Sequence, residues 1–153
     1  MTQTVFQTPS GQKAIVDFAP QKDYLSFSQP INQTLTLTTK TGAGVTFTYG
    51  EVLGGLIFHD TSSGAVNDTF PTAALLVPQI EGSEVGSTVR LIIRNTSAGA
   101  GTITLVAGTG CTLSGTTAST AIAYLTQTEY LIRVTAVGTA PTYTVYGLGN
   151  TTF

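Results

Sequence analysis

Charged residues are scarce in this sequence. Its 153 residues include six Lys and Arg and eight Asp and Glu, only 9% of the chain, and the formal net charge is −2 at pH 7. A typical soluble domain is about 25% charged, and a protein that binds duplex nucleic acid neutralises several phosphates with clustered cations. Because the six cations are few and scattered, we expect no nucleic-acid partner.

Cysteine and long apolar runs are also scarce. The single cysteine excludes an internal disulfide bond. Uninterrupted apolar runs such as Ala73–Val77 are no longer than five residues, whereas a membrane-spanning helix needs about 20 residues. The opening stretch, MTQTVFQTPSG, contains neither the basic nor the apolar region of a secretory signal peptide. We therefore expect no signal peptide and no membrane partner.

Threonine, in contrast, is abundant: the chain contains 30 Thr and 10 Ser. Threonine is β-branched and suits the half-wet surface of a pleated sheet, and here hydroxyl groups must supply the solubility that charges usually supply. With so few charges on the surface, electrostatic repulsion between protein molecules is weak and does little to prevent association. Such a surface suits a protein that is largely covered by copies of itself or by a partner.

The first 33 residues differ from the rest of the chain. They contain three widely spaced prolines, Pro9, Pro20 and Pro30, and only isolated apolar pairs. Because proline removes a donor from a β-ladder, we interpret residues 1–33 as an extended N-terminal arm with short strands. The arm would lie along a partner surface or complete the sheet of its own domain, and the sequence favours neither alternative.

Residues 34–153 are predicted to form a single domain rich in strands. Apolar and polar residues alternate there with a period of two, which is typical of half-buried strands. Leu35 and Leu37 share one face of a strand at 34–39, and Phe47 and Tyr49 share one face of a strand at 45–49. Further strands are predicted at 55–60, 88–95, 102–107, 129–137 and 142–147. We expect these apolar residues to face the core: Leu91, Ile93, Ile103, Leu105, Ile132 and Val134.

One helical signal interrupts the strands, at residues 70–80. Pro71 is tolerated in a first turn and Pro78 stops the run, so the helix has one or two turns. Many short strands with glycine-rich turns and almost no helix are typical of a β-sandwich. We predict an all-β fold, a jelly-roll-like β-sandwich with one short helix.

The stretch TLVAGTGCTLSG, residues 104–115, concentrates three glycines around the only cysteine. A phosphate-binding P-loop would need a lysine after its last glycine and a following helix, but Gly110 is followed by Cys111. We interpret the stretch as a hairpin in which a strand ends near Ala107, the chain turns at 108–110, and a short strand returns at 111–113.

No catalytic or metal-binding constellation is evident. A nucleophilic site would combine Cys111 with His59 and an acid such as Asp60 or Asp68, and the spacing does not bring them together. Adjacent His59 and Asp60 point to opposite faces of a strand. We therefore predict a protein that is not an enzyme and has no catalytic residues, cofactor or metal.

Two other polar patterns have simple interpretations. The closest acidic pair, Glu81 and Glu84, indicates a solvated turn. Four asparagines precede x-Ser/Thr, a glycosylation pattern only in a secreted chain. With no signal peptide and this much Thr and Ser, we interpret the matches as coincidence: Asn32, Asn67, Asn95 and Asn150.

Arginines interrupt two of the predicted strands. In TVRLIIRN, Arg90, Ile92 and Arg94 share the face opposite to the apolar one, and Arg133 holds a similar position in YLIRVTAV. This mixed face is either solvated or an interface, since arginine beside aliphatic residues is a common interface composition. The candidate interface comprises Arg90, Ile92, Arg94 and Arg133.

Residues from about 52 to 148 contain the stretches VLGGLIFHDTSSGAVNDTFPTAALL, VGSTVRLIIRNTSAGAGTITLVAGTGCTLSGT and RVTAVGTAPTYTVYGLG. These strand and turn patterns resemble those of small virion proteins of tailed phages and related viruses, which include capsid decoration (cement) proteins and head-fibre or spike modules. The resemblance implies a jelly-roll-like body that assembles as a homotrimer.

The resemblance also implies a function and a location. A decoration protein binds the major capsid protein across capsomer boundaries and stabilises the shell, so this chain would be made in the host cytoplasm and lie on the capsid surface of the virion. The alternative is a host-binding fibre or spike module that binds carbohydrate, for which exposed tyrosines would serve. The candidates are Tyr124, Tyr130, Tyr143 and Tyr146.

The arm is open to a direct test. If residues 1–33 lie on a partner, a chain lacking them should keep the circular dichroism spectrum of a folded β-protein and no longer co-sediment with shells. The proline spacing and the lack of a continuous apolar pattern motivate this expectation. An unfolded truncated chain would show that the arm completes the domain's own sheet.

Overall fold

The computed structural model of the chain describes residues 3–7, 13–17, 35–115 and 120–152. The chain divides into two compact units, Met1–Asn32 and Gln33–Phe153. In the first unit, β1 (Gln3–Gln7) and β2 (Lys13–Asp17) pair antiparallel and form a two-stranded sheet of their own. The role of residues 1–33 as an arm on a partner stays a prediction.

The second unit is mostly β, which confirms the predicted predominance of strands. In chain order its strands are β3 (Thr36–Thr41), β4 (Gly55–Asp60), β5 (Val66–Thr69), β6 (Thr88–Asn95), β7 (Ile103–Val106), β8 (Cys111–Ser114), β9 (Ala121–Ile122), β10 (Thr126–Ala136) and β11 (Thr142–Thr152). Six strands form one sheet in the order β3-β4-β6-β10-β11-β8, and three form another in the order β5-β7-β9.

The strand pairing does not confirm a jelly-roll-like topology. A jelly roll is an antiparallel arrangement of two Greek keys. In the six-stranded sheet, β3 pairs parallel with β4, β4 with β6, and β11 with β8, and in the smaller sheet β5 pairs parallel with β7. Parallel pairs need connections that leave the sheet and return. Here β5 lies in the connection from β4 to β6, and β9 lies in the connection from β8 to β11, so strands of the other sheet supply part of those connections.

Both sheets contribute to one hydrophobic core. The six residues predicted to face inward are all buried: Leu91, Ile93, Ile103, Leu105, Ile132 and Val134. Residues of the six-stranded sheet and of the three-stranded sheet belong to the same buried cluster. Period-two alternation was sufficient to identify them because one face of each of these strands is dry.

Within residues 35–115, the structure has two α-helices, where the sequence predicted one. The predicted helix is present as α2 (Ala73–Leu76), followed by one turn of 3-10 helix at Val77–Gln79. The prediction of a strand at 45–49 is wrong, since α1 (Tyr49–Gly54) begins there. Among the described residues, no helix is long and apolar enough to cross a membrane.

A capping box explains why α1 begins where it does. The Thr48 side chain accepts a hydrogen bond from the Glu51 backbone N–H, and the Glu51 carboxylate accepts one from the Thr48 backbone N–H. This reciprocal pattern satisfies two donors that a helix start leaves without partners. The signal was present in the sequence as Thr48-x-x-Glu51, and the apparent alternation of Phe47 and Tyr49 concealed it.

The hairpin interpretation of residues 104–115 is also wrong. The strand and turn positions are close to those expected, but β7 belongs to the three-stranded sheet and β8 to the six-stranded sheet. The segment therefore crosses the core from one sheet to the other. Its glycines permit close contact: a Cβ on Gly108 would lie 2.3 Å from the Phe70 carbonyl oxygen, and Gly110 has a φ of +78°.

Hydrogen bonds from polar side chains connect the six-stranded sheet to segments on the other side of the core. The Tyr143 hydroxyl, on β11, donates to the Pro71 carbonyl oxygen at 2.6 Å. The buried Asn95 amide, at the end of β6, donates to the carbonyl oxygens of Gly101 and Ile122 at 2.9 and 3.1 Å. Because buried polar groups without partners cost free energy, these bonds favour one mutual placement of the sheets.

The crossover predicts opposite effects of two glycine substitutions. Gly108→Ala should destabilise the fold by about 1–3 kcal/mol, because its Cβ would overlap backbone atoms of Phe70 and Pro71. Gly50→Ala is the matched control, since a Cβ there meets nothing within 4 Å and lies inside α1. We expect it to raise the free energy of unfolding by about 0.5–1 kcal/mol.

Chemical denaturation of the two variants and the parent chain measures both effects. Equal stability of Gly108→Ala and the parent would contradict the close packing at the crossover.

Candidate functional site

The candidate site is the side of the six-stranded sheet that points away from the core. On β6 the residues at positions 91, 93 and 95 are buried, so Arg90, Ile92 and Arg94 point outward. The strand registers extend this assignment across the sheet. We call this surface the outer face; it comprises Leu37, Leu56, Phe58, Asp60, Arg90, Ile92, Arg94, Glu129, Leu131, Arg133 and Tyr146.

Apolar side chains cross the outer face from one strand to the next. Leu37 pairs in register with Leu56, and Leu56 with Ile92, so the three lie side by side on β3, β4 and β6. Leu131 and Tyr146 are a corresponding pair on β10 and β11. Leu37 is 49% exposed on the edge strand. The face therefore presents an apolar stripe to the outside of the sheet.

Every arginine of the chain lies on the outer face. Arg90 holds Glu129 in a two-point ion pair, with Nε 2.5 Å from Oε1 and Nη2 2.8 Å from Oε2. The Arg94 guanidinium carbon lies 5.2 Å from the centroid of the Phe58 ring, which is cation–π geometry. Arg133 is exposed opposite Thr88. The sequence placed all three arginines on the correct side of their strands.

The outer face has the composition of a contact surface. The face carries three arginines and two carboxylates, Glu129 and Asp60, so its net charge is positive. Arginine with its flat, weakly hydrated guanidinium and aliphatic neighbours is enriched at interfaces. Contiguous apolar patches on a protein surface mark sites of interaction. The candidate interface residues Arg90, Ile92, Arg94 and Arg133 lie together on this face.

A buried imidazole–carboxylate pair was missed by sequence reasoning. His59 Nδ1 on β4 lies 2.8 Å from Asp68 Oδ2 on β5, and both side chains are fully buried. The Asp68 carboxylate also accepts a hydrogen bond from the Val45 backbone N–H at 3.1 Å. The available signal was that Asp68 alternates with Val66 and Phe70, which placed it on the dry side of its strand.

Cys111 does not join this pair. It lies on β8, four strands away from β4 in the sheet, and four spacings of about 4.8 Å separate such strands by about 19 Å. Burial raises the pKa of the Cys111 thiol, whereas a reactive cysteine needs a lowered pKa. The Cys–His–Asp arrangement considered from the sequence is therefore not assembled, and Asp60 lies on the opposite face from His59.

The remaining polar candidates are structural or exposed. In the parts of the chain that the structure describes, no group of three or more His, Cys, Asp or Glu residues could hold a metal ion. The Asn95 side chain is buried and hydrogen-bonded within the fold, so it is no glycan acceptor there. Asn67 and Asn150 are exposed, and Asn32 lies outside the described residues.

The tyrosines considered for carbohydrate binding separate into two groups. Tyr130 and Tyr143 are buried in the core, whereas Tyr124 is exposed and Tyr146 lies half-buried on the outer face. A different tyrosine, Tyr49, is 44% exposed and lines a cleft of about 590 Å³. The other cleft residues are mostly apolar side chains and threonines: Thr46, Phe47, Thr48, Thr69, Phe70, Pro71, Thr72, Leu75, Ala107, Gly108 and Thr109.

Comparison with known proteins finds no match. No protein family model, no curated protein and no solved structure matches this chain.

Neighbouring residues on β10 test the assignment of the two faces. Ile132→Ala removes a fully buried side chain and should lower the free energy of unfolding by about 2–5 kcal/mol. Leu131→Ala, one position away on the outer face, should cost about 1 kcal/mol or less. Urea denaturation of both variants provides the measurement. Equal losses would mean that the outer face is as tightly packed as the core.

Proposed function

We propose that this chain is a capsid decoration protein, a small virion protein that binds the outer surface of a viral shell across capsomer boundaries and stabilises it as a homotrimer. The observation that carries the proposal is the outer face, where an apolar stripe and every arginine of the chain share one side of a sheet. Such a surface serves association.

The interior supports binding rather than catalysis. His59 and Asp68 are buried between the sheets and bond to each other, and Cys111 is held apart from them. We infer that His59 and Asp68 serve to link the two sheets within the fold. The resemblance of residues 52–148 to virion proteins supports the same conclusion, because a decoration protein needs no active site.

The physical mechanism is stabilisation by binding. A decoration protein that binds the assembled shell, and not its separated subunits, adds free energy that must be overcome before the shell opens. Trimeric presentation multiplies weak contacts through effective concentration. The low charge and hydroxyl-rich surface of this chain suit a molecule covered by neighbours on the virion surface.

The second candidate is a host-binding fibre or spike module that binds carbohydrate. It is favoured by the cleft beside Tyr49, because an exposed aromatic ring next to hydroxyl groups suits the apolar face and the polar edge of a sugar. The two candidates differ in what the isolated protein binds: viral shells in the first case, host cells in the second.

The decisive experiment adds purified protein to undecorated shells. We expect the protein to co-sediment with shells in many copies per particle and to raise the temperature at which the shells open. Leu56→Asp with Ile92→Asp, which places charges in the apolar stripe, should reduce the bound amount at least tenfold. Thr104→Asp, on an exposed position of β7, is the matched control and should bind normally.

Binding to host cells, with no binding to shells, would instead support the second candidate.

A further inference from the structure

We infer that the outer face binds a second copy of this chain through the turn at residues 81–86, which we call the acidic turn. This inference deepens the proposed function by naming the surfaces through which the trimer forms, and it rests on that function only for the expectation that the chain assembles with itself.

The outer face requires an acidic and partly apolar partner surface. Its arginines outnumber its carboxylates, and its apolar stripe runs between them. The ion pair with Glu129 leaves Arg90 59% exposed, and Arg133 is exposed as well. A recess of about 410 Å³ opens beside Arg90, Ile92 and Glu129. A small protruding turn with negative charge and one apolar side chain would complement such a surface.

The acidic turn has these properties. Its sequence is EGSEVG; Glu81 and Glu84 are exposed, and Val85 is 60% exposed. Within residues 35–115 and 120–152, Glu81 and Glu84 form no ion pair. The acidic turn therefore presents two glutamates and, directly after Glu84, one exposed valine at the protein surface.

The turn is held in a defined shape. The Ser83 N–H donates to the Ile80 carbonyl oxygen at 3.0 Å, and the Glu84 N–H donates to the Ser87 hydroxyl at 3.0 Å. The Gly86 N–H donates to the Val134 carbonyl oxygen at 2.9 Å, which joins the turn to β10. A preorganised turn loses little conformational entropy on binding, so more of its contact energy appears as affinity.

Charge selects the symmetry of the contact. Two outer faces stacked on each other would bring the arginines of one copy against those of the other, which like-charge repulsion disfavours. A contact between the outer face and the acidic turn joins two different surfaces, so it is heterologous. Heterologous contacts form a closed ring when the rotation closes, and a three-membered ring is the homotrimer of the proposed function.

The outer face is large enough for this contact. Its six strands span five spacings, about 24 Å in all, and the eight residues of β6 extend about 26 Å. The flat area that these dimensions enclose is about 620 Å², which is comparable to the roughly 800 Å² that each partner contributes to a standard protein interface.

Charge reversal of both surfaces tests the inference on the full chain without shells. The face variant carries Arg94→Glu and Arg133→Glu, the turn variant carries Glu81→Arg and Glu84→Arg, and the third chain carries all four changes. Sedimentation velocity measures the oligomer, and circular dichroism checks that each variant is folded. Thr104→Glu, on the opposite sheet, is the control for an added charge.

We expect the parent chain and the control to sediment as the same oligomer. The face and turn variants should each raise the dissociation constant at least tenfold, and the fourfold variant should return it to within about threefold of the parent, because the charges match again in reverse. A monomeric parent chain would overturn the inference, and so would a fourfold variant that stays dissociated while folded.

Adding shells distinguishes this inference from the proposed function. If the face variant keeps its oligomer and loses only shell binding, the outer face contacts the capsid and the inference is wrong, while the proposed function stands. If the parent oligomer depends on the matched charges but does not bind shells, the inference stands and the proposed function fails.

Discussion

A buried hydrogen bond between His59 and Asp68 joins the two sheets, and much of the fold depends on it. A polar group buried without a partner costs about 1–3 kcal/mol. Keeping this hydrogen bond therefore favours one relative position of β4 and β5. The Asp68 carboxylate also accepts a hydrogen bond from the backbone N–H of Val45, shortly before α1. One carboxylate therefore links β4, β5 and the approach to the helix.

The contacts that join the two sheets involve only one side of the larger sheet. Among the buried polar side chains, His59, Asp68 and Asn95 form hydrogen bonds that link the sheets, and the apolar residues of both sheets fill the space between them. The smaller sheet packs against the inner side of the larger sheet, so the outward residues of the larger sheet lie outside the core. The arginines and the apolar stripe lie there together.

Local patterns predicted which residues are inside but not how the strands connect. Ile93 and Ile132 were assigned correctly because alternation reports the dry side of a strand directly. The hairpin at 104–115 was wrong because a glycine turn has the same sequence whether its strands pair or separate into two sheets. Phe47 and Tyr49 alternated like a strand, and the capping box at Thr48 and Glu51 outweighed them.

The sequence by itself determined the predominance of strands, the buried face of each central strand, and the common side of Arg90, Arg94 and Arg133, since these follow from periodicity along single segments. Tertiary structure alone decided the strand order, the parallel pairings and the meeting of His59 with Asp68. It also placed Leu37, Leu56 and Ile92 side by side. The physical reason is that strand order and cross-sheet contacts depend on long-range burial and on hydrogen bonds between segments, which no local period encodes.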